Sequence, residues 1–467
     1  MNLSNEYQFP LSSLCTYFSD PSDFSTTENF SVKFVGLKCT DGKLKIYFPV
    51  GYRKPADHVD EKEIRSNILN LIHILRTYGE KGENLLQSNP FSKNPQKVFP
   101  IHAYIFIIRD FLSNGYFSIK EQHYQKNAGG KINWGRTIKN VKPQFSDGNV
   151  FYLDFITQKN LYSQSEMICK IHKALVYECF SKLGFLFTTF MPEKSQLKMN
   201  KALFLSVIKK VASETFNENT LILFKNMIDV LEWLDDFNEK KDFVYGTENF
   251  HVIWERMIDS IFGESDKEKF YPKVYWRLYG KEKSESTFTF NDDEKRNSLR
   301  PDTIMILNRG KVGQKIFVLD AKYYRYGASG NKYHLPDSSS IVKQLAYAKY
   351  IEENAKRSGA ESPLPKDVRE KLAENEDCIF NAFIMPANLE DNTNSIKMKN
   401  IGWASADYVL PFFGDGDDDE KSDCQKSWYK IHGILLDTKS VMEHAALKDE
   451  KWKMKLVACV KKSVFSK

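Results

Sequence analysis

Two short apolar segments joined by a glycine-containing turn constrain the fold of this chain more than any other feature. They cover residues 302–307 and 316–322, and the intervening NRGKVGQK carries glycines at 310 and 313. Short apolar runs bounded by such a turn are typical of neighbouring β-strands. The pattern therefore predicts an antiparallel hairpin.

The predicted hairpin brings three charged residues together. A reversal centred near Lys311 places Asp302 opposite Asp320, and a slip of two residues would keep them on one face. Because side chains alternate along a strand, Lys322 points to the same side as Asp320, whereas Ala321 points to the opposite layer. Neighbouring carboxylates at the ends of apolar strands repel each other unless a cation joins them, so the pattern favours a hard divalent ion.

These residue types suit Mg²⁺ and the hydrolysis of DNA phosphodiester bonds. Mg²⁺ prefers a few carboxylate oxygens together with water and phosphate, so Asp302, Asp320 and the backbone carbonyl of Ala321 are candidate ligands. The ion would polarise the scissile phosphate and lower the pKa of a bound water. Lys322 would orient or help to deprotonate that water and stabilise charge on the phosphate. A strand-end ion pair beside a turn aspartate is the alternative interpretation.

A family resemblance extends this set of residues. The sequence RPD at 300–302, followed by DAK at 320–322, resembles the signature of PD-(D/E)xK nucleases. The resemblance implies an α/β core whose mixed central sheet is flanked by helices. It also implies an acidic residue on a preceding helix and a polar residue on a following helix, and Glu255 and Gln344 match these positions.

Both added residues fall on predicted helices. FHVIWERMIDSIF at 250–262 carries its apolar residues on one stripe, with Glu255 on the flank. In the later helix Gln344 and Tyr347 share a face, and the serines at 338–340 are candidate N-caps. By resemblance, Glu255 would reach the metal directly or through water, and Gln344 would contact a phosphate or a metal-binding residue. An exposed helix position is the alternative for each.

The loop between the second strand and this helix is a candidate DNA contact. Its sequence, YYRYGASGNKYH at 323–334, interleaves aromatic rings with cations. Tyr324, Arg325 and Lys332 are the selected residues, because cations bind phosphates and rings stack on exposed bases. An ordinary polar loop is the alternative. His334 is not expected to bind metal, because no His or Cys stands at ligand spacing from it.

A narrower resemblance rests on two stretches of the chain. GGKINWGRTIK at 129–139, and RPD with VLDAKYY and KQLAYAKY, are similar to LlaJI-type restriction endonucleases and to the McrC nuclease subunits of modification-dependent restriction systems. The resemblance implies anti-phage restriction and a separate McrB-like GTPase partner, and the chain has no GxxxxGK[ST] loop of its own.

The first of these stretches contains basic candidate contacts. Lys131, Arg136 and Lys139 would lie against DNA phosphates or a partner protein. The alternative is structural, a turn followed by a strand with a buried Trp134.

The length of the chain predicts several domains, because 467 residues exceed what one hydrophobic core usually serves. Residues 1–120 show strand and helix patterns and form a predicted α+β region for partner binding or DNA recognition. Residues 121–238 hold the basic motif and a helical middle segment, and residues 239–467 form the nuclease domain. The expected fold is α+β overall, with the α/β nuclease core last.

Composition narrows the class of protein only slightly. The formal charge of +6 suits a nucleic-acid partner but also an ordinary enzyme. The seven cysteines form no CxxC pair, so neither a zinc ribbon nor a disulfide framework is indicated. No stretch resembles a membrane span or a signal peptide, so we expect a soluble prokaryotic protein in the cytoplasm.

Three functional hypotheses follow. The first is the nuclease subunit of a restriction system that acts on double-stranded DNA with a separate GTPase. The second is a self-sufficient type II restriction endonuclease, and the third is a non-catalytic DNA-binding or scaffold protein. Since one active site cuts one strand, double-strand cleavage implies a homodimer or a larger assembly on DNA.

Overall fold

The computed structural model describes the following residues, to which every structural statement below refers: 15–18, 34–40, 43–52, 61–80, 85–86, 98–163, 166–234, 242–274, 276–279, 286–289, 299–357, 361–374, 377–389, 397–410, 426–445, 447 and 449–465.

The α-helices of the described residues are, in chain order, α1 (Glu61–Gly79), α2 (Ile101–Asn114), α3 (Trp134–Asn140), α4 (Met167–Leu183), α5 (Lys201–Ser213), α6 (Glu218–Trp233), α7 (Phe250–Phe262), α8 (Tyr326–Ser329), α9 (Ser338–Ala355), α10 (Lys366–Glu374), α11 (Thr438–His444) and α12 (Glu450–Phe465).

The β-strands are β1 (Cys15–Phe18), β2 (Val35–Thr40), β3 (Lys43–Tyr47), β4 (Ile119–Lys126), β5 (Lys131–Ile132), β6 (Gln144–Ser146), β7 (Asn149–Phe151), β8 (Ile156–Ser163), β9 (Phe243–Thr247), β10 (Trp276–Tyr279), β11 (Ser286–Thr289), β12 (Thr303–Leu307), β13 (Lys315–Ala321), β14 (Ile379–Ala387), β15 (Met398–Ala404) and β16 (Ile431–Asp437).

The chain divides into two compact units whose bounds differ from the three predicted ranges. Residues 43–87 belong to the same unit as residues 246–467, and residues 88–245 belong to the other. The physical reason is the packing of α1, whose buried face includes Tyr78. The Tyr78 hydroxyl donates to the carbonyl of Ala445 at 2.8 Å. We call the unit that contains residues 43–87 and 246–467 the C-terminal unit.

A mixed five-stranded sheet forms the centre of the C-terminal unit, as predicted. Its strand order is β12-β13-β14-β16-β15. Strands β13, β14 and β16 are parallel, whereas β12 pairs antiparallel with β13 and β15 antiparallel with β16. On one face the strand residues Ile304, Ile316 and Val318 pack with Leu345 and Ile351 of α9. The expected α/β core with a mixed central sheet is therefore confirmed.

The outer edge of β12 is covered by other parts of the same unit. The backbone N–H of Glu264 donates to the carbonyl of Ile304 at 2.9 Å. The Lys453 ammonium group lies 3.4 Å from the carbonyl of Ile306. Two carbonyls of this edge strand are therefore bound within the chain.

Two helices of this unit position candidate site residues. In α7 the predicted apolar stripe is confirmed, and its buried members are Phe250, Ile253, Trp254, Met257, Ile258 and Ile261. Helix α9 forms as predicted but with a different cap. The side chain of Asp337, not one of the serines that follow, accepts from the N–H of Ser340 at 2.9 Å. A carboxylate is a strong N-cap acceptor, which explains the correction.

The N-terminal strand patterns are also confirmed. Strands β2 and β3 form where the apolar runs predict them, in a four-stranded sheet ordered β1-β3-β2-β9.

None of the helices in the described part of the chain has the length and apolar character that a membrane span needs.

The other unit contains the helical middle segment, which is confirmed by α4, α5 and α6. Its basic motif folds differently from the structural interpretation given above. Lys131 and Ile132 form only a two-residue strand, and helix α3 follows at once. Trp134 is 52% exposed rather than buried. The reason is Asn133, whose side chain accepts from the N–H of Arg136 at 3.0 Å and caps α3.

Candidate active site

The hairpin of β12 and β13 has the register that the sequence predicts. Thr303 pairs with Leu319 and Ile306 with Ile316. One step beyond the first of these pairs, Asp302 lies opposite Asp320. Gly310 and Gly313 in the connecting turn have φ angles of 70° and 78°, a conformation that glycine adopts without strain.

Asp302 is fixed against the strand that carries its partner. Its Oδ2 accepts a hydrogen bond from the backbone N–H of Ala321 at 2.8 Å. The N–H and C=O of one strand residue point to the same side. The carbonyl of Ala321 therefore also faces the Asp302 side of β13, which brings together the three oxygen donors selected from the sequence.

Asp320 and Glu255 change the ionisation of Asp302. Burial, a hydrogen bond that the protonated Asp302 carboxyl donates to Asp320, the charge of Asp320 and the charge of Glu255 raise the pKa of Asp302 to about 9, whereas the Ala321 N–H opposes the shift. Two carboxylates in one desolvated site cannot both carry a charge at low cost. The site is therefore organised to take up a positive charge.

Lys322 supplies one such charge. Its Nζ lies 3.1 Å from Oδ1 of Asp320. Burial alone would lower the pKa of Lys322, but Asp320 and then Asp302 outweigh burial and hold that pKa above its ordinary value. Lys322 is therefore a protonated donor in this arrangement.

Glu255 approaches the pair from α7 and is half-buried. Burial and then the charge of Asp320 raise the pKa of Glu255, while Lys322 lowers it. Glu255 is thus within electrostatic range of both other acids. Within the described part of the chain, no group of three or more His, Cys, Asp or Glu side chains is close enough to hold a metal ion. Asp302 and Asp320 are the close pair, and Glu255 stands further off.

The structure places the side chain of Gln344 in the protein interior, against the backbone of β13. The side chain is fully buried, and its Nε2 donates to the carbonyl of Val318 at 2.6 Å. Its Oε1 has no hydrogen-bond partner among the described residues. The exposed alternative is therefore wrong for Gln344, which contacts the backbone of β13 two residues before Asp320.

Tyr347 is buried as well, so an exposed position is also wrong for this residue. Burial and then the charges of Asp320 and Asp302 raise the pKa of Tyr347 to about 12. Its ring therefore stands close to the acidic pair, one turn of α9 beyond Gln344.

The loop that follows β13 contains the short helix α8. Tyr324 and Arg325 are half-buried, whereas Lys332 is exposed beside the ring of Tyr333. The Ser329 hydroxyl and Nδ1 of His334 are 2.8 Å apart. The three selected residues thus lie on one loop directly after Lys322.

The basic motif belongs to the other unit. Lys131, Arg136 and Lys139 are all exposed. The Arg136 guanidinium lies 3.7 Å from the centroid of the Tyr124 ring. The motif therefore presents three cations to the surface of its own unit.

A second lysine near the acidic pair was not predicted. Nζ of Lys267 donates to the backbone carbonyl of Asp302 at 2.8 Å and lies 2.8 Å from Oδ2 of Asp259. The other oxygen of Asp259 accepts from the Thr303 hydroxyl at 3.2 Å. The available signal was weak: Asp259 follows Glu255 by four residues and so lies on the same side of α7.

Comparison with known proteins supplies the family. The LlaJI restriction endonuclease family matches residues 34–410. A component of the type II restriction enzyme BsuMI of Bacillus subtilis strain 168, YdjA, is 26% identical over 311 residues, which are 63% of this chain and 64% of the relative. The chain thus spans a little under two thirds of the length of that relative.

A solved structure is similar at a low level. It is the half-complex from a tetradecameric assembly of Thermococcus gammatolerans McrB AAA+ hexamers with bound McrC, with 13% identity and a TM-score of 0.31 over 90% of this chain and 84% of that one. The family match covers most of the chain and includes the hairpin with its acidic pair. The chain therefore belongs to the LlaJI restriction endonuclease family.

Proposed function

We propose that this chain is a Mg²⁺-dependent endonuclease that hydrolyses DNA phosphodiester bonds in a restriction system. The observation that carries the proposal is the acidic pair, in which burial and like charge raise the pKa of Asp302 beside Asp320. Such a pair is costly unless a cation or a proton neutralises it. Membership of a restriction endonuclease family supports DNA as the substrate.

The donor chemistry of the site fits Mg²⁺. Two carboxylates and the carbonyl of Ala321 face one region, and Mg²⁺ prefers such oxygen donors together with water and phosphate. When bound, the ion supplies stabilisation of phosphate charge and a more acidic water. In this proposal Asp302, Asp320 and the Ala321 carbonyl hold the ion, and Glu255 contributes from α7.

The remaining site residues act on the substrate. Lys322 holds its ammonium group beside Asp320 and stabilises negative charge on the phosphate. Tyr324, Arg325 and Lys332 bind the DNA backbone, since all three follow the DAK strand on one loop. Gln344 supports β13 through its bond to Val318. Lys131, Arg136 and Lys139 bind DNA phosphates or a partner protein.

We propose in addition that the chain works with a separate McrB-like GTPase. The support is the sequence resemblance to nuclease subunits and the lack of a GxxxxGK[ST] loop in the sequence. The relative from Bacillus subtilis is named as a component of a restriction enzyme. A self-sufficient type II endonuclease is the second candidate, and a non-catalytic DNA-binding protein is the third.

Cleavage of plasmid DNA tests the proposal and separates the candidates. We expect Mg²⁺-dependent cleavage by the wild-type chain when GTP and the motor are present, and loss of that cleavage in Asp320→Ala while DNA binding persists. Asp407→Ala, a change at an exposed aspartate of the same unit, is the matched control. Undiminished cleavage by Asp320→Ala would contradict the assignment of Asp320 to the active site. Cleavage without nucleotide would select the self-sufficient enzyme.

A further inference from the structure

The turn at residues 49–52 lies against the end of the strand that carries Lys322. The N–H of Tyr52 donates to the carbonyl of Pro49 at 3.0 Å, and Gly51 has a φ of 72°. These two features define a type II β-turn with Val50 in its second position. We call residues 49–52 the docking turn.

Three contacts attach the docking turn to the C-terminal unit. The N–H of Val50 donates to the hydroxyl of Tyr323 at 2.7 Å. The carbonyl of Val50 accepts from the hydroxyl of Thr438 at 3.0 Å. A Cβ on Gly51 would stand 2.7 Å from the backbone of Ala387, so only glycine fits there. The docking turn thus touches residues at or just beyond the carboxyl ends of three parallel strands, β13, β14 and β16.

Tyr323 itself is tied to the backbone of Lys322. The N–H of Tyr324 donates to the carbonyl of Lys322 at 2.8 Å, which closes a three-residue turn centred on Tyr323. This bond links the backbone on the two sides of Tyr323. A displacement of Tyr323 would therefore act on the backbone of Lys322.

The ring of Tyr323 is held from the side of α7. Its centroid lies 5.3 Å from that of Phe250 and 6.4 Å from that of Trp254. The Trp254 Nε1 donates to the carbonyl of Ile384 at 3.3 Å, and the N–H of Lys322 donates to the same carbonyl at 2.9 Å. The hydroxyl end of the same side chain accepts the hydrogen bond from the Val50 N–H of the docking turn.

We propose that Tyr323 is a positioning residue for Lys322, and that the docking turn sets its place through the hydrogen bond from Val50. This inference rests on the proposed nuclease function. It gives the docking turn, which precedes the other residues of the site by about 200 positions or more in the sequence, a role in catalysis. The substrate need not touch either Tyr323 or Val50.

A pair of variants removes the same hydrogen bond from either side. Tyr323→Phe deletes the acceptor and leaves the Val50 N–H unpaired. Val50→Pro deletes the donor, and proline is favoured in the second position of a type II turn, so the turn itself is kept. The double variant removes both partners, which costs less stability than leaving one of them buried and unpaired.

We expect cleavage by Tyr323→Phe to be about tenfold to 100-fold slower in single-turnover experiments, the scale of a misplacement of about 1 Å. The DNA dissociation constant should stay unchanged, because in this proposal Tyr323 acts through Lys322 and not by contact with DNA. The double variant should regain much of the melting temperature of the wild type but remain slow. Tyr78→Phe is the matched control, since it loses the buried bond from Tyr78 to Ala445 without touching β13.

Two outcomes would overturn the inference alone. One is a cleavage rate that recovers in the double variant together with the melting temperature, since the bond would then serve stability only. The other is a loss of rate in Tyr78→Phe as large as in Tyr323→Phe. If the wild type does not cleave, or Asp320→Ala cleaves as fast, the proposed function itself fails, and the two failures are thereby told apart.

Discussion

Single residues of this protein differ in how far their environment disturbs their ordinary chemistry, and Asp302 is disturbed most clearly. Burial and neighbouring carboxyls raise its pKa to about 9. A carboxyl of an unfolded chain titrates near its ordinary value of 3.8. The folded protein therefore holds a proton that the unfolded chain releases, and folding becomes less favourable as the pH rises between these two values.

Asp302→Asn should therefore stabilise the metal-free protein at pH 7.5. We expect a gain of about 1–3 kcal/mol in the free energy of unfolding, because the wild-type carboxyl must take up a proton on folding at this pH, whereas a neutral amide keeps the bond from the Ala321 N–H without that cost. The gain should shrink as the pH falls toward and below 3.8, because the wild-type carboxyl then becomes protonated in the unfolded state as well. Thermal melts in EDTA across this pH range give the measurement, and a destabilised variant at pH 7.5 would contradict the assigned environment.

At this scale the sequence predicted what local spacing determines. The hairpin register followed from one turn, so the encounter of Asp302 with Asp320 followed as well. The contacts of Lys267 and Tyr323 depend on segments far away along the chain, namely Asp302 for the first and Val50 for the second. No local pattern encodes such a contact, and these residues were missed for that reason.

Among the elements, the segment after α7 that contains residues 266–269 holds the start of β12 in place. The Lys267 side chain binds the carbonyl of Asp302, and Arg309 at the far end of the hairpin forms a two-bond contact with Asp266, at 2.7 Å for each bond. Both ends of β12 are therefore tied to this segment. It holds the backbone of Asp302 without occupying the site.

Lys267→Met should impair catalysis through Asp302. We expect cleavage to slow about tenfold and the Mg²⁺ requirement to rise, since residues that support metal ligands typically contribute about 10–100-fold. Lys269→Met is the control, because Lys269 lies on the same segment, is more exposed and sits 3.7 Å from Asp266. The measurement is the cleavage rate as a function of Mg²⁺ concentration for both variants. Equal effects of the two changes would contradict the prediction, because a loss of surface charge alone would then explain them.

The element boundaries show where sequence patterns fail. Apolar periodicity predicted α7 and α9, because each helix buries one face, and continuous apolar runs predicted the central strands β13 and β14, which are buried on both faces. The pattern failed at Trp134, where an Asn133 cap starts a helix that is largely exposed and so has no apolar face to signal it. It also failed at the start of α9, where Asp337, and not one of the serines after it, caps the helix.

On the scale of the whole molecule, the C-terminal unit includes a segment from the N-terminal part of the chain, residues 43–87. Helix α1 and the docking turn are attached to it through Tyr78, Val50 and Leu85, whose carbonyl accepts from the Thr247 hydroxyl at 2.6 Å. The sequence could not show that these distant segments share one unit, because the predicted domains were continuous ranges of the chain, whereas this unit combines residues 43–87 with residues 246–467.

A fragment spanning residues 239–467 should therefore fail to fold alone. Without residues 43–87 the buried face of α7 loses the neighbours on α1, and this apolar surface would be exposed to water. We expect aggregation or a broad thermal transition, and a cooperative transition when residues 34–87 are co-expressed. Circular dichroism melts provide the measurement. A sharp transition for the fragment alone would contradict the division described above.

The covered edge of β12 limits how copies of this protein can associate. A sheet whose edge strand offers free carbonyl and amide groups can be extended by a strand of a second molecule. Here the carbonyls of Ile304 and Ile306 are already bound by Glu264 and Lys453. A second copy therefore cannot extend this sheet through the two bound carbonyls of the strand next to Asp302, and an assembly on DNA would have to form through other surfaces.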